Sequence, residues 1–254
     1  MIRVGVPDGR IAAWERGSGP PVVLVHGGTG TAAHDWAPIV PRLARRFRTI
    51  ALDLRGHGQS PGAPDGIGMT RFGLDVVHVM RYLGVPAAVL VGFSVGGNTL
   101  LKLVARQPWI ARAVVTIGSS AQGDGERVHQ ILSGPWPADL VAIDHAAGDG
   151  PDYWRALRRA LAEDWAANLD LAPSELQSID CPVLVCHGDR DRVQSLDEAL
   201  YLYRRLPRAE LFVVPQAGHS AQLDQPDLFG AALERFIDRT LRLSSSGSAP
   251  WTSP

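Results

Sequence analysis

Only two cysteines occur in 254 residues, the formal charge is −1, and no long apolar run is present. Each shortage closes off a class of function. Basic and acidic residues are interspersed, so no positive stripe is available for nucleic acid or an anionic membrane surface. No apolar run approaches the ~20 residues of a membrane span. The segment from Met1 to Arg10 is interrupted by Pro7, Asp8 and Gly9, and a signal peptide is not expected there. Cys181 and Cys186 fall on one predicted strand, where five steps of about 3.3 Å put them roughly 16 Å apart, too far for a disulfide. They read as buried thiols of a protein in a reducing cytoplasm. The cysteines lack ligand-like spacing and the eight histidines are scattered, so no metal is expected. Small molecules of little charge remain as partners.

With 45% hydrophobic residues the chain can build one substantial core. Ile2 to Val6 and Arg10 to Glu15, separated by Pro-Asp-Gly, read as a hairpin. Apolar runs then alternate with helix-period segments, the pattern of a mostly parallel α/β sheet covered on both faces. Strands are expected at Val22 to Val25, Thr49 to Asp53, Ala88 to Phe93, Ala113 to Ile117, Pro182 to Cys186 and Glu210 to Val214. Helices are expected at Trp36 to Arg46, Met69 to Leu83, Val95 to Arg106, Leu196 to Leu206 and Pro226 to Leu243. The interval from Ser119 to Ile179 is far longer than a usual crossover and reads as a small helical lid inserted into one discontinuous core domain, 1–118 with 180–243. Residues 244–254 are mostly Ser, Gly and Pro with one Trp and read as a disordered tail.

Gly92-Phe93-Ser94-Val95-Gly96 fits G-x-S-x-G between an apolar strand and a helix-like segment. Such a turn holds the serine strained, with its hydroxyl at the carboxyl edge of the sheet, and the flanking glycines let strand and helix approach. The pattern alone is weak, and its placement is what carries weight. Upstream, Val22 to Val25 ends in His26-Gly27-Gly28-Thr29-Gly30. Acyl transfer needs two preorganised N–H donors for the developing oxyanion, each typically worth about 3 kcal/mol. The N–H groups of Val95 and Gly28 are the candidates, set against the plainer reading of a glycine turn. A serine hydroxyl also needs a base oriented by a carboxylate. Late in the chain, one strand ends in His187-Gly188-Asp189-Arg190-Asp191 and the next in Gly218-His219-Ser220. Each leaves the sheet at a carboxyl end, where ligands bind in open α/β sheets.

Together these residues resemble the α/β-hydrolase superfamily, in its small single-domain serine esterase, perhydrolase and thioesterase-like branch. The resemblance spans about Val4 to Leu243 and includes Asp53-Leu54-Arg55-Gly56-His57-Gly58-Gln59-Ser60, similar to that family's D-x-R-G-H-G-x-S loop. It implies the α/β-hydrolase fold, a triad of Ser94, His219 and Asp191, and no cofactor. The acid of that family stands three positions after the glycine ending the seventh strand, which selects Asp191 over Asp189. A serine at position 94 argues against dehalogenase or epoxide hydrolase chemistry, which the resemblance would place on an aspartate.

Plainer readings stand beside these. Ser94 and His219 could be a helix cap and a loop residue. His26, His57 and His187 adjoin glycine turns and are expected to hold loop geometry, and Asp53 and Asp189 to make turn and cap hydrogen bonds. Asp124 and Glu126 are expected to be solvated. Trp136, Trp154 and Trp165 are expected to pack the lid onto the domain rather than line a pocket. The reaction expected is carboxylesterase-like hydrolysis of a small, mostly apolar substrate through an acyl-enzyme. The same triad serves thioester, lactone and carbon–carbon cleavage, and a non-catalytic binding protein is the rival from another class.

Overall fold

The structure is a computed structural model that describes residues 1–28, 30–62, 66–122 and 150–245. Its strands are β1 (Ile2–Val6), β2 (Gly9–Arg16), β3 (Pro21–Val25), β4 (Arg48–Leu52), β5 (Ala88–Phe93), β6 (Ala111–Ile117), β7 (Val183–Gly188) and β8 (Ala209–Val214). They form one sheet in the order β1-β2-β4-β3-β5-β6-β7-β8. The β1–β2 and β2–β4 pairs are antiparallel, and every pair from β4 to β8 is parallel. This is the α/β-hydrolase arrangement.

Successive side chains of a strand point to opposite faces, so continuous runs such as Val22-Val23-Leu24-Val25 feed two cores at once. Val23, Val25, Ile50, Leu52 and Leu90 join one apolar cluster. Val22, Leu24, Ala51, Val89 and Val91 join the other. The first is covered by α3 (Met69–Tyr82), α4 (Val95–Arg106) and, from a later segment, α5 (Gly150–Asn168). The second receives Trp36, Ile39 and Leu43 together with Phe229, Leu233 and Phe236 of the last helix, Pro226–Ser245. Each fully buried Leu or Phe contributes about 1.5–3 kcal/mol relative to exposure, so the two layers rather than the turns hold the sheet.

The helix expected over Trp36 to Arg46 is replaced by two short ones, α1 (Ala32–Asp35) and α2 (Ile39–Leu43). A single helix would place Pro41 in its interior, without an N–H and against the preceding turn; starting α2 at Ile39 puts that proline in the first turn, where no N–H is needed. Thr31 starts α1 earlier by accepting from His34 N–H at 3.2 Å. Strand β7 runs two residues beyond the expected Cys186, taking in His187 and Gly188, and Cys181 lies before it. Cys181 is half-buried, Cys186 is buried, and both thiols are free.

Between β6 and β7 the described residues form α5 and α6 (Pro173–Gln177). Trp154, Leu157, Leu161 and Trp165 of α5 are buried in the first cluster. Tyr153 donates its hydroxyl to the Gly56 carbonyl at 2.6 Å, and Asp164 accepts from Met69 N–H at 2.8 Å, supplying the cap that Gly68 cannot give α3. Trp154 and Trp165 therefore pack as expected; Trp136, Asp124 and Glu126 lie outside the described residues. The remaining helices are α7 (Leu196–Arg205), α8 (Ala221–Asp224) and α9 (Pro226–Ser245). Ser244 and Ser245 belong to α9 rather than to a tail, and 246–254 lie outside the described residues. Among the described residues no helix is long and apolar enough to cross a membrane, and no group of three or more His, Cys, Asp or Glu is arranged to hold a metal ion.

Register brings the chemistry-bearing loops to one edge. Val25 pairs with Leu52 and Gly92, Phe93 with Ile117, Ile117 with Cys186, and Gly188 with Val214. The carboxyl ends of β3, β5, β7 and β8 thus finish together.

Candidate active site

Ser94 joins β5 to α4 with φ 50° and ψ −118°, a left-handed backbone that costs a side-chain-bearing residue about 1–3 kcal/mol. The turn is held by Ser94 N–H donating to Ile117 O at 2.7 Å and by Asn98 N–H donating to Ser94 O at 3.0 Å. Glycine is required on both sides: a Cβ on Gly92 would lie 2.5 Å from Gly97 N, and one on Gly96 only 2.4 Å from Val25 O. Ser94 is 7% exposed and stands at the N-terminus of α4, where the helix dipole favours negative charge.

The structure brings Ser94, His219 and Asp191 together. Ser94 Oγ lies 3.0 Å from His219 Nε2, and His219 Nδ1 lies 2.8 Å from Asp191 Oδ2. The other carboxylate oxygen of Asp191 accepts from Val193 N–H at 2.8 Å and Gln194 N–H at 3.0 Å. Burial pushes Asp191 up, but the His219 hydrogen bond and charge and these two amides outweigh it, leaving its carboxyl below the usual carboxylate range. Asp189 turns the other way and accepts from Ala217 N–H at 3.1 Å, tying the two loops together. His219 Nδ1 donating to Asp191 leaves Nε2 as the acceptor for the serine proton.

Gly28 lies against Val95, since a Cβ on Gly28 would meet Val95 Cγ2 at 2.7 Å and Leu161 Cδ1 at 3.6 Å. Val95 is the first residue of α4, so its N–H has no intrahelical partner. His26 explains the direction of the Gly28 amide. Leu54 N–H donates to His26 Nε2 at 2.8 Å, so the ring carries its hydrogen on Nδ1, 2.6 Å from Gly27 O. Gly30 N–H also donates to that oxygen, at 3.2 Å. In a trans peptide, holding Gly27 O on one side aims Gly28 N–H to the other. Thr29 lies outside the described residues.

Several supporting residues left no signal in the sequence pattern. Asp35 accepts from Gly27 N–H at 2.9 Å. Phe93 packs its ring 5.0 Å from that of His219, and the absent side chain of Gly118 leaves room for the histidine's other side. Asp53 accepts from Ala32 N–H at 2.8 Å and Gln59 N–H at 2.7 Å, the cap and turn bonds expected of it. Burial pushes its carboxyl up to about 6, against those two amides and with the charge of Asp35. His187 lies near the end of β7, buried, with Nε2 3.8 Å from Asp191 Oδ2; burial lowers its pKa, while Asp191 and the Gln194 backbone of the following loop act the other way.

Residues 22–232 match the alpha/beta hydrolase family. The chain belongs to that family. This alpha/beta hydrolase is 30% identical to 2-(acetamidomethylene)succinate hydrolase of Mesorhizobium japonicum, over 88% of the chain and 90% of that protein. It is 28% identical to 2-hydroxymuconate semialdehyde hydrolase of Pseudomonas sp. strain CF600, over 88% of each. The structure superposes on 2-hydroxy-6-oxo-6-phenylhexa-2,4-dienoate hydrolase of Rhodococcus sp. strain RHA1 with a TM-score of 0.79 and 27% identity, covering 93% of this chain and 97% of that one. All three are named hydrolases, which supports hydrolysis as the reaction class.

Proposed function

We propose that this alpha/beta hydrolase cleaves a carboxylic ester or related acyl bond of a small, mostly apolar substrate through Ser94, His219 and Asp191, without a cofactor. The observation that carries the reading is the continuous hydrogen-bonded chain from Ser94 Oγ through His219 to Asp191 Oδ2. Ser94 Oγ attacks the acyl carbon while His219 Nε2 takes its proton. Asp191 holds the ring in the Nδ1–H tautomer and offsets the imidazolium charge that forms. The N–H groups of Gly28 and Val95 receive the oxygen as it becomes negative. His219 then returns the proton to the leaving group, and a water activated by the same ring releases the acyl group from Ser94.

Helix α5 is read as a roof over this site. Leu161 beside Gly28, with Leu157, Trp154 and Trp165 buried behind it, supports an apolar ceiling that excludes water. A second reading has a specific observation in its favour: relatives carry the names of hydrolases of a succinate and a dienoic acid and of a 3-oxoadipate enol-lactonase, so lactone or carbon–carbon cleavage of a carboxylate-bearing substrate is the alternative we weigh against it.

A matched panel decides between them. Purified protein is assayed against acyl esters of increasing chain length, the corresponding thioesters and lactones, and esters with a terminal carboxylate. The proposal expects kcat/KM to rise with acyl length by at most about fourfold per methylene, from about 0.8 kcal/mol for each one buried. A flat series or a preference for the charged acyl group would falsify the apolar reading.

A further inference from the structure

His57 is fully buried and takes no part in the triad, yet it touches the residue read above as an oxyanion donor. Its Nε2 lies 2.9 Å from Gly28 O and its Nδ1 lies 2.9 Å from Arg55 O. A neutral imidazole has one N–H, so only the imidazolium could serve both carbonyls. Burial works against that charge and lowers the His57 pKa from its ordinary value, although the Gly28 and Arg55 carbonyls, the Asp35 carboxylate and the Leu54 backbone all pull the other way. Beside the ring stand the His26 ring at 5.1 Å, whose Nε2 accepts from Leu54 N–H, and Phe72 at 6.0 Å. His57 therefore has a single hydrogen to give. Of the two carbonyls, that of Arg55 lies two residues away in the same loop, whereas that of Gly28 belongs to the segment after β3.

We propose that His57 is a positioning residue for the oxyanion-binding loop, donating from Nε2 to the Gly28 carbonyl and so fixing the residue whose own N–H would receive the substrate oxygen. The inference rests on the reading of Gly28 as that donor. The loop after β4 holds the segment after β3 at three points: Leu54 N–H on His26, Asp53 on Ala32 N–H, and His57 on Gly28. The contacts at His26 and Ala32 fix the flanks. His57 acts at the middle point, where Gly28 is pressed against Val95 and a small displacement would spoil the spacing of two N–H donors. Because removing such a donor outright costs about 10²–10³ in kcat, misplacing it should cost less but remain easy to read.

A glutamine amide reaches where imidazole Nε2 sits, and an asparagine amide reaches only as far as Nδ1, so the two variants separate the two bonds. His57→Asn is expected to lower kcat tenfold or more with KM within about threefold, and to weaken phenylboronic acid binding by a similar factor. His57→Gln is expected to rescue most of both losses. His57→Asn matching the wild type, or His57→Gln doing no better than His57→Asn, overturns the proposal. The 15N imidazole spectrum of the unaltered protein at pH 7 reads the bond whether or not either variant folds: a proton on Nε2 supports the proposal, and a proton on Nδ1 or on both nitrogens overturns it. Failure of the underlying serine hydrolase reading would show separately, as wild-type protein that does not bind phenylboronic acid at all.

Discussion

Replacing Asp191 by asparagine should do far more harm than the same change at Asp189, and the geometry says why. Oδ1 of Asp191 accepts from two backbone amides, Val193 at 2.8 Å and Gln194 at 3.0 Å. An asparagine must present its carbonyl oxygen to those two donors, which leaves its NH₂ facing His219 Nδ1, now at 2.8 Å from Oδ2. The ring is then forced to accept at Nδ1 and to carry its hydrogen on Nε2, pointing at Ser94 Oγ, where it cannot take the serine proton. A loss of up to ~10⁴ in kcat is expected, or about 5.4 kcal/mol at 1.36 kcal/mol per factor of ten. Asp189 accepts a single amide, from Ala217 at 3.1 Å, and an asparagine carbonyl can do the same, so Asp189→Asn should stay within about tenfold. Steady-state kinetics on one responsive ester, with melting curves to confirm that both variants fold, makes the comparison. A greater loss at 189 than at 191, or a loss below tenfold at 191, would refute the reasoning.

Stability should carry two further signatures. Asp53 is raised to about 6 by burial, from about 4 when unfolded, so its contribution is present below about pH 4 and lost as pH rises through 6. Asp53→Asn removes that titration, and its stability relative to wild type should rise by on the order of 3 kcal/mol between pH 4 and 7; urea unfolding across that range showing a flat difference contradicts this. Arg55 and Asp75 form a buried two-point ion pair at 2.8 and 3.0 Å. Asp75→Ala leaves the guanidinium buried and unpaired at a cost of about 3–5 kcal/mol, which for a chain this size lowers Tm by roughly 6–20 °C, and a shift under 3 °C in a thermal melt would show that the pair is dispensable.

What the sequence made legible follows from the range of the interactions involved. Strands β3 and β5 are visible as Val22 to Val25 and Ala88 to Phe93 because a strand buried on both faces must be apolar throughout. Ser94, Asp191 and His219 are recognisable because each follows a strand end within a few residues, and strand ends are what register aligns. The break at Pro38 and Pro41 is not legible from apolar spacing, because Trp36, Ile39, Leu43 and Phe47 suit one helix, whereas the first-turn tolerance of proline selects two. Asp35, Phe93 and Gly118 gave no warning. Their partners, Gly27 N–H and the His219 ring, are set by how loops from different strands meet, which no local spacing encodes.

If Ser94 is an activated nucleophile, intact-mass measurement after reaction with a fluorophosphonate reads it without any knowledge of the substrate. One adduct per chain is expected on the wild type, located by peptide mapping to Ser94, with much slower labelling of His219→Ala and none on a folded Ser94→Ala variant. Labelling of Ser94→Ala at the wild-type rate, or no labelling of active wild-type protein, would contradict it.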